Sequence, residues 1–249
     1  MKKIILTAFI LGLTTHAIAD VEEERAEWTK EYFAKHGGPV PDGGVQVIPE
    51  AKMSQYKIFK AEYARNRRDV AELGYIKKSS PQADLLFKIK KEAAKQFVAQ
   101  SKDIEKPASA NLRHSIAELK MAYTFVGVPQ SEVSDVIGVS PYLSYLPNQG
   151  WIGATEYFST NTMGNCSFSE NNVRLSHGSV VVAKEIARED VNGKVTVVTV
   201  TGDPSDGFLY EVEWYDQTFF RTLQCANKKF SPYLTEQVIA LAKRIDSNQ

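Results

Sequence analysis

The stretch from Cys166 to Cys225 constrains this chain more than any other, because it holds the only two cysteines and the clearest strand pattern. Within it Phe208, Tyr210, Val212 and Trp214 alternate with Leu209, Glu211 and Glu213. Successive side chains on a strand point to opposite faces, so this period of two predicts one apolar face and one face carrying both glutamates. The alternation resumes from Gln217 to Cys225. A two-residue connection at Tyr215 and Asp216 predicts an antiparallel hairpin with Val212 opposite Phe219 and Phe208 opposite Leu223. Cys225 then shares the apolar face.

Two further turns punctuate the same stretch. Asn192-Gly193 is the pair that best tolerates the positive φ angles of a type I′ hairpin, and it predicts pairing of Ser179–Arg188 with Lys194–Thr201. Gly202 to Gly207, with Pro204 inside it, is turn chemistry throughout. Asn165 to Leu175 is expected to add one edge strand. After the sheet, Ser231-Pro232 opens a helix whose apolar face is Leu234, Val238, Leu241, Ala242 and Ile245.

The N-terminus reads as an export signal. Met1-Lys2-Lys3 supplies positive charge, Ile4 to Leu13 an apolar run, and Ala17-Ile18-Ala19 a small-residue cleavage site before Asp20. The run is shorter than the roughly 20 residues a membrane span needs, so no span is expected. In an oxidising compartment an isolated cysteine pair is most simply a disulfide. A Cys166–Cys225 bridge closes a loop of about 60 residues, which chain entropy rates at roughly 4 kcal/mol. The competing reading is a thiol nucleophile with His177 as its base.

Between signal and sheet the periodicity changes to that of helices. Val21 to Lys35 carries a Trp28, Tyr32, Phe33 stripe. Glu50 to Leu73 repeats Tyr56, Phe59, Tyr63, Val70 and Leu73, with Gly74 to stop it. Ser80-Pro81 opens a stripe of Leu85, Leu86, Ile89, Ala93 and Phe97, and Leu112 to Val126 gives another. These patterns predict an α+β fold: an N-terminal helical region of three to four helices, then a four- to five-stranded antiparallel meander with a C-terminal packing helix and one disulfide. The corresponding segments are a signal at 1–19, a helical region at 20–128, an aromatic-rich junction at 129–160, and the sheet with its helix at 161–249.

Charge divides along the same line. From Lys52 to Lys120 there are 16 Lys and Arg against 8 Asp and Glu, whereas from Met121 onward there are 9 against 14. A basic half beside an acidic one suits anionic lipid or glycan, or contact between the halves; solvated helix faces with scattered Lys are the simpler account. No Lys/Arg run exceeds three, and export argues against a nucleic-acid partner.

Catalytic motifs are scarce. Gly-x-Ser-x-Gly, His-Glu-x-x-His, Walker and dinucleotide patterns are all missing, so no cofactor and no metal are expected. His177, just before a strand, is the best acid/base candidate. Glu211 and Glu213, two apart on one strand face, can share acid and base roles, although a polar outward face explains them as well. The junction aromatics Tyr145, Trp151 and Tyr157 can stack on a ligand or fill a seam between layers. The expectation is a bacterial-type exported protein, periplasmic or secreted, acting as a binding or interaction module for a protein, glycan or small molecule. A hydrolase with a non-standard site near His177 and the Glu211/Glu213 face is the alternative.

Overall fold

The alternating segment at 208–214 lies well inside a sheet of eight strands, a larger sheet than the periodicity predicts. A computed structural model describes residues 44–53, 56–89, 112–113, 115–176 and 178–248, the side chains of 56–58 excepted. The chain runs through β1 (Gly44–Ile48), α1 (Tyr56–Leu73), β2 (Ile76–Lys77), α2 (Pro81–Lys88), β3 (Asp135–Leu146), β4 (Gly150–Thr160) and β5 (Gly164–Asn172). It continues through β6 (Ser179–Ala183), β7 (Arg188–Val191), β8 (Lys194–Asp203), β9 (Gly207–Tyr215), β10 (Phe219–Asn227) and α3 (Pro232–Ser247). The main sheet has the order β2-β8-β9-β10-β5-β4-β3, with β7 also on β8, while β1 and β6 form a separate parallel pair.

Two antiparallel meanders, β3-β4-β5 and β8-β9-β10, therefore join through β5 and β10. Cys166 and Cys225 are direct partners across that seam and are bridged, so the disulfide ties one meander to the other. The sheet is mixed, because β2 adds to β8 in parallel.

The expectation of an N-terminal helical region followed by a short meander is overturned. The described residues hold three α-helices and are mostly strand. The described residues of the segment from Leu112 to Val126, expected as a helix, are irregular, with a 3-10 turn at Ile116–Glu118 and isolated bridges at Arg113 and Met121. Its backbone is satisfied by the sheet: Arg113 exchanges both backbone bonds with Val139, and Trp151 N–H donates to Lys120 while Ala122 N–H donates to Trp151. Leu119, Phe125 and Val128 then reach the core from an irregular chain, and the apparent helical stripe is lost to tertiary pairing.

The junction at 129–160 holds β3 and β4. Two register shifts in β3 disguise its alternation. Pro141 is accommodated because β3 is the last strand of the order, where a missing N–H costs no ladder bond on the outer side. Their turn requires Gly150, at φ +125°, where an added Cβ would stand 2.4 Å from the Lys120 carbonyl oxygen.

Other expectations shift by smaller amounts. The β9–β10 hairpin forms with Val212 opposite Leu223 and Phe208 opposite Asn227. The connection is thus longer than two residues, since Tyr215 pairs with Phe220. The register slips by an even number, so every side chain keeps its face. Asn192-Gly193 makes its turn, with both φ angles positive, but the strand before it is β7; β6 pairs with β1 instead. The segment expected as an edge, β5, is interior. Glu50 to Leu73 divides into a 3-10 turn and α1. Ser80 caps α2 as expected, its hydroxyl accepting the Ala83 N–H at 3.2 Å, but Ala93 and Phe97 lie outside the described residues. So do the signal segment and the Val21–Lys35 pattern.

One face of the sheet carries the main core. Phe158, Phe168, Tyr210, Val212, Trp214 and Leu223 share this core with Val238, Leu241, Ala242 and Ile245 of α3. Each such side chain fully removed from water contributes about 1.5–3 kcal/mol. Tyr210 sets where α3 begins: its hydroxyl donates to the Lys229 carbonyl at 2.8 Å and accepts the Ser231 N–H at 2.7 Å.

Charges are buried on the same face. Arg221 Nε donates to Glu170 at 2.6 Å and Nη1 to Asp216 at 2.8 Å. Asp246, on α3, accepts from the Trp214 indole at 3.0 Å, from Asn192 at 2.9 Å and from Lys194 at 2.5 Å. These bonds fix the end of α3 against β7–β9. Among the described residues, no helix is long and apolar enough to cross a membrane.

Candidate functional site

The opposite face of the sheet is covered only in part. At one end α2 packs Ala83 and Leu86 on Leu209 and Ala226. At the other, Val45 and Val180 of the β1–β6 pair pack around Val197 and Tyr215. Between these covers lies a groove of about 440 Å³. Its existence follows from the sequence of the strands beneath it: the positions that alternate with the core residues are hydroxyl, amide and carboxylate side chains, which have no reason to be covered.

Strand register lays out the floor. Glu213, Thr222, Ser169, Thr155 and Ser140 stand in one row across five strands. Beside it runs a second row of Glu211, Gln224, Ser167 and Tyr157. Leu85 and Gln82 of α2 bound one side, and Pro141, Tyr142 and Phe220 bring apolar and aromatic surface to the rest.

The two carboxylates differ in setting. Glu211 accepts a short hydrogen bond from the Gln224 amide, and Glu213 accepts from the Tyr215 hydroxyl at 2.9 Å. Burial pushes the Glu213 carboxyl up, the neighbouring charge of Glu211 pushes it further, and the Tyr215 bond opposes both, leaving it at about 7. Burial and the Glu213 charge also raise Tyr142 and Tyr215, while Tyr157 is raised by burial against its Ser140 contact. The groove thus offers a protonatable acid at neutral pH beside a second carboxylate, over a bed of hydroxyls. Such an array presents donors and acceptors to a hydroxylated ligand, and an acid of this kind can transfer a proton.

Of the residues singled out from sequence, Glu211, Glu213 and Tyr157 come together in this groove. Tyr145 and Trp151 do not line it. They pair with each other edge-to-face at 5.3 Å across β3 and β4, and Trp151 is 2% exposed, a core position. His177 lies outside the described residues, as do His36 and His114. The residues sequence reasoning passed over are Ser167, Ser169, Thr222 and Gln224. Their signal was present as the polar half of Cys166-Ser167-Phe168-Ser169-Glu170 and of Arg221 to Cys225, alternation that the β5 edge assignment left unused.

Comparison of the chain with protein-family models, with curated proteins and with solved structures finds no match.

Proposed function

We propose that this chain is an exported binding module, periplasmic or secreted, whose groove takes a saccharide. The observation that carries the reading is the groove itself: two rows of Ser, Thr, Gln and Glu flanked by Tyr142, Tyr157 and Phe220. Hydroxyl-rich ligands with apolar ring faces are recognised by this combination, polar groups fixing orientation and aromatic rings covering C–H surface. Export rests on the Met1 to Ala19 pattern and is supported by the bridged cysteines. Recovery of exported protein with an intact Met1 would remove it.

Calorimetric titration against neutral and charged oligosaccharides tests the groove. Tyr142 is 36% exposed, so Tyr142→Ala should leave folding intact. It should weaken affinity about thirtyfold if the ring is an anchor worth 2 kcal/mol or more. An unchanged affinity, or no binding to any saccharide, would overturn the reading.

One observation favours a second reading, that of a hydrolase: Glu213 is held near neutrality beside Glu211, as a general acid beside a base requires. Under that reading Glu213→Gln abolishes turnover of a bound saccharide and leaves its binding largely intact.

A further inference from the structure

The floor of the groove is longer than it is wide, and its long axis crosses the strands. Thr222, Ser169, Thr155 and Ser140 are successive partners on β10, β5, β4 and β3, and Glu213 of β9 extends the row to a fifth strand. Neighbouring strands lie about 4.8 Å apart, so the row is about 19 Å long, whereas the second row, two residues along each strand, is only about 7 Å away. Each long side has a wall. On one, Leu209 and Ala226 follow Glu211 and Gln224 along their strands and carry Ala83 and Leu86 of α2. The Asn165 amide donates to the Leu86 carbonyl at 2.8 Å and holds the helix in that place. On the other side the next row runs Tyr215, Phe220, Asn171, Gly153 and Tyr142. Tyr215 and Phe220 stack at 5.1 Å, and Tyr142 lies over Gly153, where an added Cβ would stand 3.2 Å from its ring. Rings that outreach Ser and Thr therefore border this side.

The floor also repeats. Four strands in succession place a hydroxyl in the first row, and Thr155 and Ser169 bond one another at 2.8 Å. A hydroxyl has one donor and two acceptor sites, so that pair keeps a donor and several acceptor sites for a ligand. A ligand that meets the whole row must offer polar groups at the interval of the strands, which a single sugar ring is too short to do. A chain of pyranose rings can, because one ring with its linkage is about as long as the gap between strands. We infer that the groove binds an unbranched oligosaccharide chain laid across the strands, successive rings meeting successive strands. The two walls leave no place for a branch on the rings that touch the floor. This rests on the saccharide reading above and names the form of the ligand, a linear chain rather than a single sugar or a branched glycan.

Calorimetric titration of linear glucose and N-acetylglucosamine oligomers, from one unit to six, with a branched glucose oligomer of matching size, tests this. Affinity should climb as units are added until the chain spans the row, by about tenfold or more between the single sugar and the longest chain, as two or more added hydrogen bonds require. The branched oligomer should bind more weakly than its linear counterpart by a similar factor. Thr222→Val and Ser140→Ala remove hydroxyls from strands three intervals apart, roughly 14 Å, which a two-unit ligand does not span. Each should weaken the longest chain about fivefold, the scale of one hydrogen bond, whereas a two-unit ligand should respond to no more than one of them. Neither position is fully buried, and circular dichroism checks that both variants fold. If the single sugar binds as tightly as the longest chain, or the branched oligomer matches the linear one, the chain inference fails and the saccharide reading stands. A long chain that binds without responding to either substitution also overturns the inference. If no oligomer binds, both readings fail. Should a variant unfold, the length series and the branched comparison decide.

Discussion

Replacing Arg221 with Met should be the most destabilising single change in the sheet that preserves side-chain volume. Arg221 is 2% exposed and its first partner, Glu170, is 1% exposed, so the substitution leaves a carboxylate with neither water nor a cation. Asp216 suffers less, since it keeps the backbone N–H groups of Thr218 and Phe219 and has Lys194 at 3.5 Å. Breaking one side of a buried pair costs about 3–5 kcal/mol. For a unit of about 200 residues each kcal/mol moves the midpoint by about 2–4 °C, which gives a loss of about 6–20 °C. The loss should depend on pH in a defined direction. Burial already raises the Glu170 carboxyl and Arg221 opposes that rise, so without Arg221 it rises further. A folded value above the unfolded one means stability is present at low pH and is lost as pH rises through the folded value. The deficit relative to wild type should therefore be larger at pH 8 than at pH 5. Adding Glu170→Leu to Arg221→Met should recover most of it, because no isolated charge remains. Urea unfolding of the three proteins at both pH values measures this. A loss below about 1 kcal/mol, or a deficit that does not change with pH, would refute the account.

Glu213→Gln should raise stability above about pH 7 and change it little near pH 4, because wild-type folding favours the protonated acid and loses that contribution as pH rises through about 7; unfolding midpoints at the two pH values check the sign, and a variant less stable at pH 8 contradicts it. Cys225→Ser opens the bridge across the β5–β10 seam, a sequence separation of 59, and should cost roughly 4 kcal/mol by loop entropy. Thermal unfolding measures that cost, and two alkylatable thiols in the unfolded, non-reduced wild type would deny the bridge.

The site was legible wherever strand alternation was unbroken. Phe208 to Trp214 announced both a core face and a Glu211/Glu213 face, and the register slip left those faces in place because it was even. Tyr157 was recognisable as a candidate only by being aromatic, and Trp151, chosen on the same ground, is core. An aromatic residue on a strand reports burial or binding according to which face it occupies, and β3 and β4 were not recognised as strands. Their hairpin was hidden by Pro141 and by the bulges at Val136/Gly138 and Tyr142/Tyr145, which interrupt the period on which strand reading depends.

What the sequence determined by itself is local: the cap at Ser80, the Asn192-Gly193 turn, the apolar face of α3, the cysteine pairing and the two faces of β9. Each depends on side chains within a few residues of one another, or on there being a single possible pair of cysteines. What only the tertiary structure decided is which strands adjoin. The β5–β10 seam brings Ser167 and Ser169 beside Gln224 and Thr222 from more than 50 residues away, and β3 and β4 draw Arg113 and Met121 out of a helical pattern into bridges with Val139 and Trp151. A backbone N–H must find an acceptor somewhere, and where a neighbouring strand supplies one together with a core to enter, the intrinsic preference of the segment is outweighed.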